Sequence, residues 1–247
     1  MRGMIRLFVQ ELKLYFREPV MAFFGVAFPP LIMLLFGFIM GNAPNPLFGG
    51  RGSVDISVPA YVAMIIGISS FMSLPITLAT YRERGILRRY RTTPVSPVAV
   101  LGVQIAIQYL ITLAGVVVMA ILGKVLFSMR FEGSLFSVFI GFSFSCLSFF
   151  SLGMVLASIA PSARVSVVLG NILLYPMVYL SGATIPLEVL PKVLRSAARF
   201  IPMTHVVTLM RGLWTGDALS AHGLEFLVLG GLMLVSIVLS AALFRWE

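Results

Sequence analysis

The residues with chemistry to offer are polar side chains set among apolar ones. Gln104 and Gln108 stand four apart on one helical face, and Asn171 sits alone in a later apolar run. Amides so placed either line a polar path for a solute or hydrogen-bond to a neighbouring helix, and spacing leaves both readings open. A second group, Glu83, Arg84, Gly85, Leu87, Arg88, Arg89 and Arg91, lies between two apolar runs. Glu83 to Arg91 can form a short helix, stopped by Pro94 and Pro97 before the next run. Jutting from a membrane, it would give a soluble partner a handle, whereas a plain basic loop would only anchor topology. A third group holds Pro186, Pro191, Pro202 and Arg211, with Leu187, Leu190, Val193 and Leu194 at helical spacing. Short amphipathic helices that dip into the outer leaflet as a cap satisfy both the charge and the apolar spacing.

Other chemistry lacks its parts. His205 and His222 are the only histidines, and neither has a second ligand four residues on. A Ser-His-Asp site is equally unsupported. No G-x-x-x-x-G-K-S/T loop offers backbone amides to a nucleotide phosphate. The single cysteine, Cys146, reads as a buried small apolar residue. Neither a catalytic, a cofactor nor a metal site is expected.

The elements that must hold these groups follow from composition. Of 247 residues, 59% are hydrophobic and 11% charged, which points to a bilayer as solvent. The apolar runs are Pro19–Met40, Val58–Tyr81, Val98–Gly123, Leu135–Ala160, Val165–Gly182 and Phe226–Phe244, and none contains Asp, Glu, Lys or Arg. Runs of roughly 20 residues match a helix crossing about 30 Å of hydrocarbon. The expected fold is an all-α membrane protein with six transmembrane helices in one domain, residues 1–247. Within it, residues 1–18 form an interfacial helix, 82–97 a cytoplasmic loop and 183–220 an outer cap with short re-entrant helices. Nothing in the first eighteen residues resembles a cleavable leader.

Charge orients the spans. With the N-terminus inside, eleven Lys and Arg residues fall on the inner side and seven on the outer. Five of the inner ones crowd between Arg82 and Arg91, so both termini are expected in the cytoplasm. The net charge of +9 is thus spent on topology rather than on nucleic acid. Arg2, Arg6, Gln10, Lys13 and Arg17 share one helical face, and Ile5, Val9, Leu12 and Phe16 group on another. Such a helix can lie on the inner leaflet against anionic lipid.

Several motifs carry a family resemblance. Glu83-Arg84-Gly85, Leu87-Arg88 and Thr93-Pro94-Val95-Ser96 resemble the first cytoplasmic loop of ABC type-2 transporter permeases, a family of drug, lipid and polysaccharide exporters. Leu180-Ser181-Gly182-Ala183, Pro186-Leu187, Leu190-Pro191, Ile201-Pro202-Met203-Thr204 and Arg211-Gly212 look like the family's stretch after the fifth span. The likeness runs through the whole chain in order. It implies a homodimer, or paired permeases, in the cell's inner or plasma membrane, with two cytoplasmic ATPase subunits that carry the ATP and Mg. It makes Glu83–Arg91 the coupling helix and assigns the path to spans one, two and five. The cap from Ile185 to Gly212 would gate the outer end. The short Gly41–Ser57 loop departs from relatives with a large extracellular domain.

Two other classes stay open at this stage. An ion-coupled carrier calls for ionisable groups within the spans or inverted repeats, and neither is visible. A membrane scaffold, or an enzyme using Glu188, His205 or Asp217 in the cap, lacks a recognisable catalytic spacing.

Overall fold

The computed structural model describes residues 2–17, 23–45, 50–87, 97–184, 187 and 191–243. Helix α1 covers Arg2–Arg17. A π-helical turn at Phe23–Ala27 leads into α2, Phe28–Met40. Helix α3 runs Ser53–Glu83, α4 Pro97–Phe127, α5 Leu135–Ile159 and α6 Ala163–Leu180. Short helices α7, Lys192–Ala198, and α8, Pro202–Trp214, follow, then a 3-10 turn at Leu219–His222 and α9, Gly223–Leu243. Among the described residues no β-ladder forms; one isolated bridge joins Asn45 and Arg51.

Among the described residues five helices are long and apolar enough to cross a membrane: those at Ser53–Glu83, Ala99–Phe127, Leu135–Ile159, Ala163–Leu180 and Leu219–Leu243. The first expected span, Pro19–Met40, is shorter where described, an apolar helix at Gly25–Met40, and its start lies outside the described residues. Where apolar runs and helices differ, polar ends are the cause. Helix α3 begins before its run because Asp55 accepts from Gly52 N at 3.2 Å, satisfying an amide at the helix start. Helices α5 and α6 are capped just ahead of their first residues by Ser134 and Ser162, whose hydroxyls accept from Ser137 N and Val165 N at 3.5 and 3.2 Å.

Helix α3 is the hub. It packs on α2, α4, α5, α6 and α8, and 67% of its apolar window is buried, against 11% for the last span. Midway, Ser69–Ser73 opens into a π-helical turn just before Pro75. Proline has no N–H, so the Phe71 carbonyl four residues back loses its helical donor. Two glycines close on this turn. A Cβ on Gly153 would lie 2.2 Å from the Ser70 carbonyl oxygen, and one on Gly170 2.3 Å from that of Phe71. Only glycine lets α5 and α6 approach the turn so closely.

Helix α1 packs on α4 through Leu7, with Phe8, Leu12 and Tyr15 against Val100, Val103, Ile107 and Ile111. The expected apolar face is therefore split: Leu12 packs on the protein, while Val9 and Phe16 are 43% and 60% exposed. The side chain of Ile5 lies outside the described residues. The helix has two apolar surfaces, one for α4 and one left uncovered.

The cap segment is less peripheral than its charge suggests. Met203, Val206, Val207, Leu209, Met210 and Leu213 of α8 are all buried in the bundle core. Helix α7 is mostly exposed.

Candidate functional site

At the end of α3, Arg82 donates from Nη1 to the Ala160 carbonyl at 2.9 Å and from Nη2 to that of Ala157 at 3.2 Å. It thereby satisfies carbonyls at the C-terminus of α5, where a cation also meets the negative end of the helix dipole. Its neighbour Glu83 accepts from Ala163 N at 3.2 Å, at the positive N-terminus of α6. Consecutive residues of opposite charge thus clip the end of α3 to the ends of two other spans.

The chain then turns. Gly85 has φ +66°, the left-handed conformation that ends helices, and its N–H reaches the Arg82 carbonyl at 3.0 Å. Glu83 is consequently the last residue of α3, not the first of a separate loop helix. Helix resumes at Ile86 and Leu87, with Leu87 buried, and Arg84 is exposed. Arg88, Arg89 and Arg91 lie outside the described residues, as does the whole of the expected coupling helix beyond Leu87.

Gln104 and Gln108 face α1. Gln104 donates from Nε2 to Glu11 at 2.9 Å, and the Tyr81 hydroxyl donates to the same Glu11 oxygen. Glu11 is only 6% exposed. A buried carboxylate is tolerated where donors surround it, as here. Sequence reading missed Glu11, although the i, i+4 series Leu7, Glu11, Tyr15 puts it on the packed face. Beside it lies a cavity of about 160 Å³ lined in part by Glu11, Tyr81, Arg84, Gln104 and Gln108. Tyr15, also on its wall, has its phenol pKa pushed up to about 12 by burial.

Asn171 is not part of that cavity. It sits half-buried on α6, whose Val168, Ile172, Tyr175 and Tyr179 are more than half exposed.

At the opposite end, Asn42 ties three helices together. Its Oδ1 accepts from Val54 N and Asp55 N at 3.0 and 3.3 Å, and its Nδ2 donates to Asp55 Oδ1 and the Phe127 carbonyl, both at 3.0 Å. Asp55 also accepts from Arg130 N at 2.9 Å. Asn42 serves as the cap that Gly52, lacking a side chain, cannot provide to α3. Nearby, a cavity of about 220 Å³ opens between α2, α3 and Ala183, Thr184 and Arg211. Arg211 donates to the Gly182 carbonyl at 2.8 Å, pinning α8 to the end of α6. Pro202 takes the first position of α8, where a missing N–H costs nothing. Pro191 is exposed ahead of α7, and Pro186 lies outside the described residues.

Among the described residues no group of three or more His, Cys, Asp or Glu could hold a metal ion. His222 lies 3.3 Å from Asp217 and 3.6 Å from Glu225.

Comparison with known proteins assigns this arrangement. The family model for the ABC-2 type transporter matches residues 3–214. Nodulation protein J of Rhizobium leguminosarum bv. trifolii is 40% identical over 70 residues, 28% of this chain and 27% of that protein. The same-named protein of Rhizobium leguminosarum bv. viciae is 34% identical over 99 residues, and that of Rhizobium meliloti (strain 1021) 32% over 99, each match covering 40% of this chain and 38% of the relative. The matches thus span between a quarter and two-fifths of the relatives' length. With apolar helices long enough to cross a bilayer several times and a family match over most of its length, this multi-pass membrane protein belongs to the ABC-2 type transporter family.

Proposed function

We propose that this chain is the permease half of an ATP-driven exporter that moves an amphiphile outward, worked by two separate cytoplasmic ATPase subunits. In this reading α2 completes a set of six spans, both termini are cytoplasmic, and the membrane is the cell's inner or plasma membrane. ATP and Mg belong to the partner subunits.

The observation that carries the reading is the double clip at Arg82 and Glu83. It joins the segment entering the cytoplasmic loop to the ends of α5 and α6. A push delivered after Gly85 therefore acts on three spans at once. Arg84, exposed in that segment, together with Arg88, Arg89 and Arg91, is the surface we assign to the ATPase.

Helix α6 supports pairing with a second copy. Its exposed tyrosines and Asn171 lie on a span only 22% buried within the chain. We assign Asn171, Tyr175 and Tyr179 to the path between two copies, bounded by α2 and α3. The cavity near Arg211 is its outer end, with α7 and α8 as the gate.

Purification from native membranes tests the reading. An ATP-hydrolysing subunit is expected to accompany the chain in equal number, and vesicles holding the complex should move amphiphile only with ATP. Transport driven instead by an ion gradient, with no such subunit present, overturns it.

A further inference from the structure

The cavity beside α1 has features that the transport path does not use. It lies between α1, the end of α3 and the start of α4, and its walls mix polar and apolar side chains. Gln108 is 5% exposed, lines this cavity, and its amide nitrogen has no hydrogen-bond partner. A buried donor left unpaired is costly, and a ligand acceptor brought to it removes that cost.

The remaining walls describe the ligand. Thr77 and Thr80 donate their hydroxyl protons to the Ser73 and Ile76 carbonyls, so they present only lone pairs inward. Leu14 and Ile107 supply apolar surface. Arg84, exposed, contributes a cation. The lining is elongated along α3, Thr77 lying seven residues, about 10 Å of helix, before Arg84. Glu11 also lines the cavity, its carboxylate engaged by Tyr81 and Gln104, so the place for an anion is at Arg84, with a carbonyl acceptor at Gln108 and an apolar continuation along Leu14 and Ile107.

We infer that this cavity binds an anionic glycerophospholipid, its phosphate on Arg84 and an ester carbonyl on Gln108. Basic pockets between spans on the cytoplasmic side suit such headgroups. The leaflet follows from the proposed orientation; the binding itself depends on neither orientation nor ATPase. Because Arg84 belongs to the loop assigned to the ATPase, lipid occupancy would also set how that loop is presented.

Native mass spectrometry of the full chain in a neutral maltoside detergent reads this directly, with dioleoyl phosphatidylglycerol and dioleoyl phosphatidylcholine as probes. One phosphatidylglycerol is expected to be retained, about five-fold more tightly than phosphatidylcholine, the worth of one basic residue. Arg84→Gln should abolish that preference, and Gln108→Leu should weaken both lipids about five-fold. Lys13→Gln, outside the cavity, should leave the preference in place. Without lipid, Gln108→Leu should melt no lower than the wild type, since it removes an orphan donor. Leu14→Trp, a bulky residue at an exposed edge, should likewise reduce lipid retention while leaving the core untouched. Inorganic phosphate in large excess should not compete, having no ester carbonyl. Equal binding of the two lipids, a preference that survives Arg84→Gln, retention unchanged in both Gln108→Leu and Leu14→Trp, or displacement by free phosphate each overturns the assignment. None of these outcomes depends on whether the chain pairs with an ATPase.

Discussion

Arg82 and Ala160, 78 positions apart in sequence, meet through a 2.9 Å hydrogen bond from guanidinium to carbonyl. The contact places a charge from the end of α3 on the final turn of α5, while Glu83 holds the first turn of α6. Removing either partner should loosen the turn between α5 and α6. Glu83→Ala is expected to lower stability by about 1 kcal/mol, as loss of a helix cap does. Glu83→Gln retains a carbonyl acceptor and should lose less. Thermal unfolding in detergent separates the two. In the proposed exporter, Glu83→Ala should also slow transport more than it slows ATP hydrolysis.

Glu11 makes a second prediction. Glu11→Ala takes the carboxylate from the buried Gln104 donor, at about 1–3 kcal/mol, and from the Tyr81 hydroxyl. Helix α1 should detach from α4 more readily, seen as faster cleavage near residue 17 by a limiting protease. Unchanged cleavage would mean that apolar packing alone holds α1.

The glycines against the π-turn are the third case. Gly153→Ala or Gly170→Ala pushes a methyl group into a backbone carbonyl at a contact of 2.2 or 2.3 Å. Overpacking of this kind costs about 1–3 kcal/mol. Both substitutions press on adjacent carbonyls, so once either has forced α3 aside the second should cost less. The double variant should therefore fall short of the sum of the single ones in thermal unfolding.

At the other end, Asn42→Ala removes the cap of α3 and should destabilise by about 1–2 kcal/mol. Asn42→Asp keeps the acceptor but sets a carboxylate against Asp55, and should be worse than Ala at neutral pH.

Tyr15 supplies a pH dependence. Its folded pKa, about 12, exceeds the ordinary value of 10. The unfolded chain therefore releases this proton first as pH rises. The stability tied to the neutral phenol is fully present below pH 10 and is lost as the pH climbs towards 12. Tyr15→Phe should remove this component of alkaline destabilisation, measurable as a flatter melting profile across that window.

How far the chain could be read without coordinates varies by feature. The apolar runs located the long helices because lipid requires each to satisfy its own backbone and carry no charge. Their ends were less legible. Asp55 belongs to α3 because Asn42 and Arg130 bring it donors from elsewhere in the chain. Glu11 is an acidic residue on a basic helix, and Tyr81 and Gln104, remote in sequence, bring it the donors that make its burial tolerable. Helical spacing in α1 pointed to a single apolar face, whereas the surface that meets α4 is built from Leu7, Phe8, Leu12 and Tyr15. The π-turn had its local cause in Pro75, but its partners, Gly153 and Gly170, are visible only once the spans are packed. Gln104 and Gln108 were legible as a pair, and their neighbour Glu11 was not.

The central claim is that a separate ATPase works this chain through the segment after α3. Cys146, the single cysteine, is fully buried, so an introduced thiol reports alone. The most direct measurement is cross-linking of Arg84→Cys in native membranes with a short bismaleimide, with Arg130→Cys at the opposite end as the control. An adduct between the chain and an ATP-hydrolysing subunit is expected from position 84 and none from position 130. No adduct at position 84 while that subunit co-purifies, or an equal adduct from both positions, would contradict it.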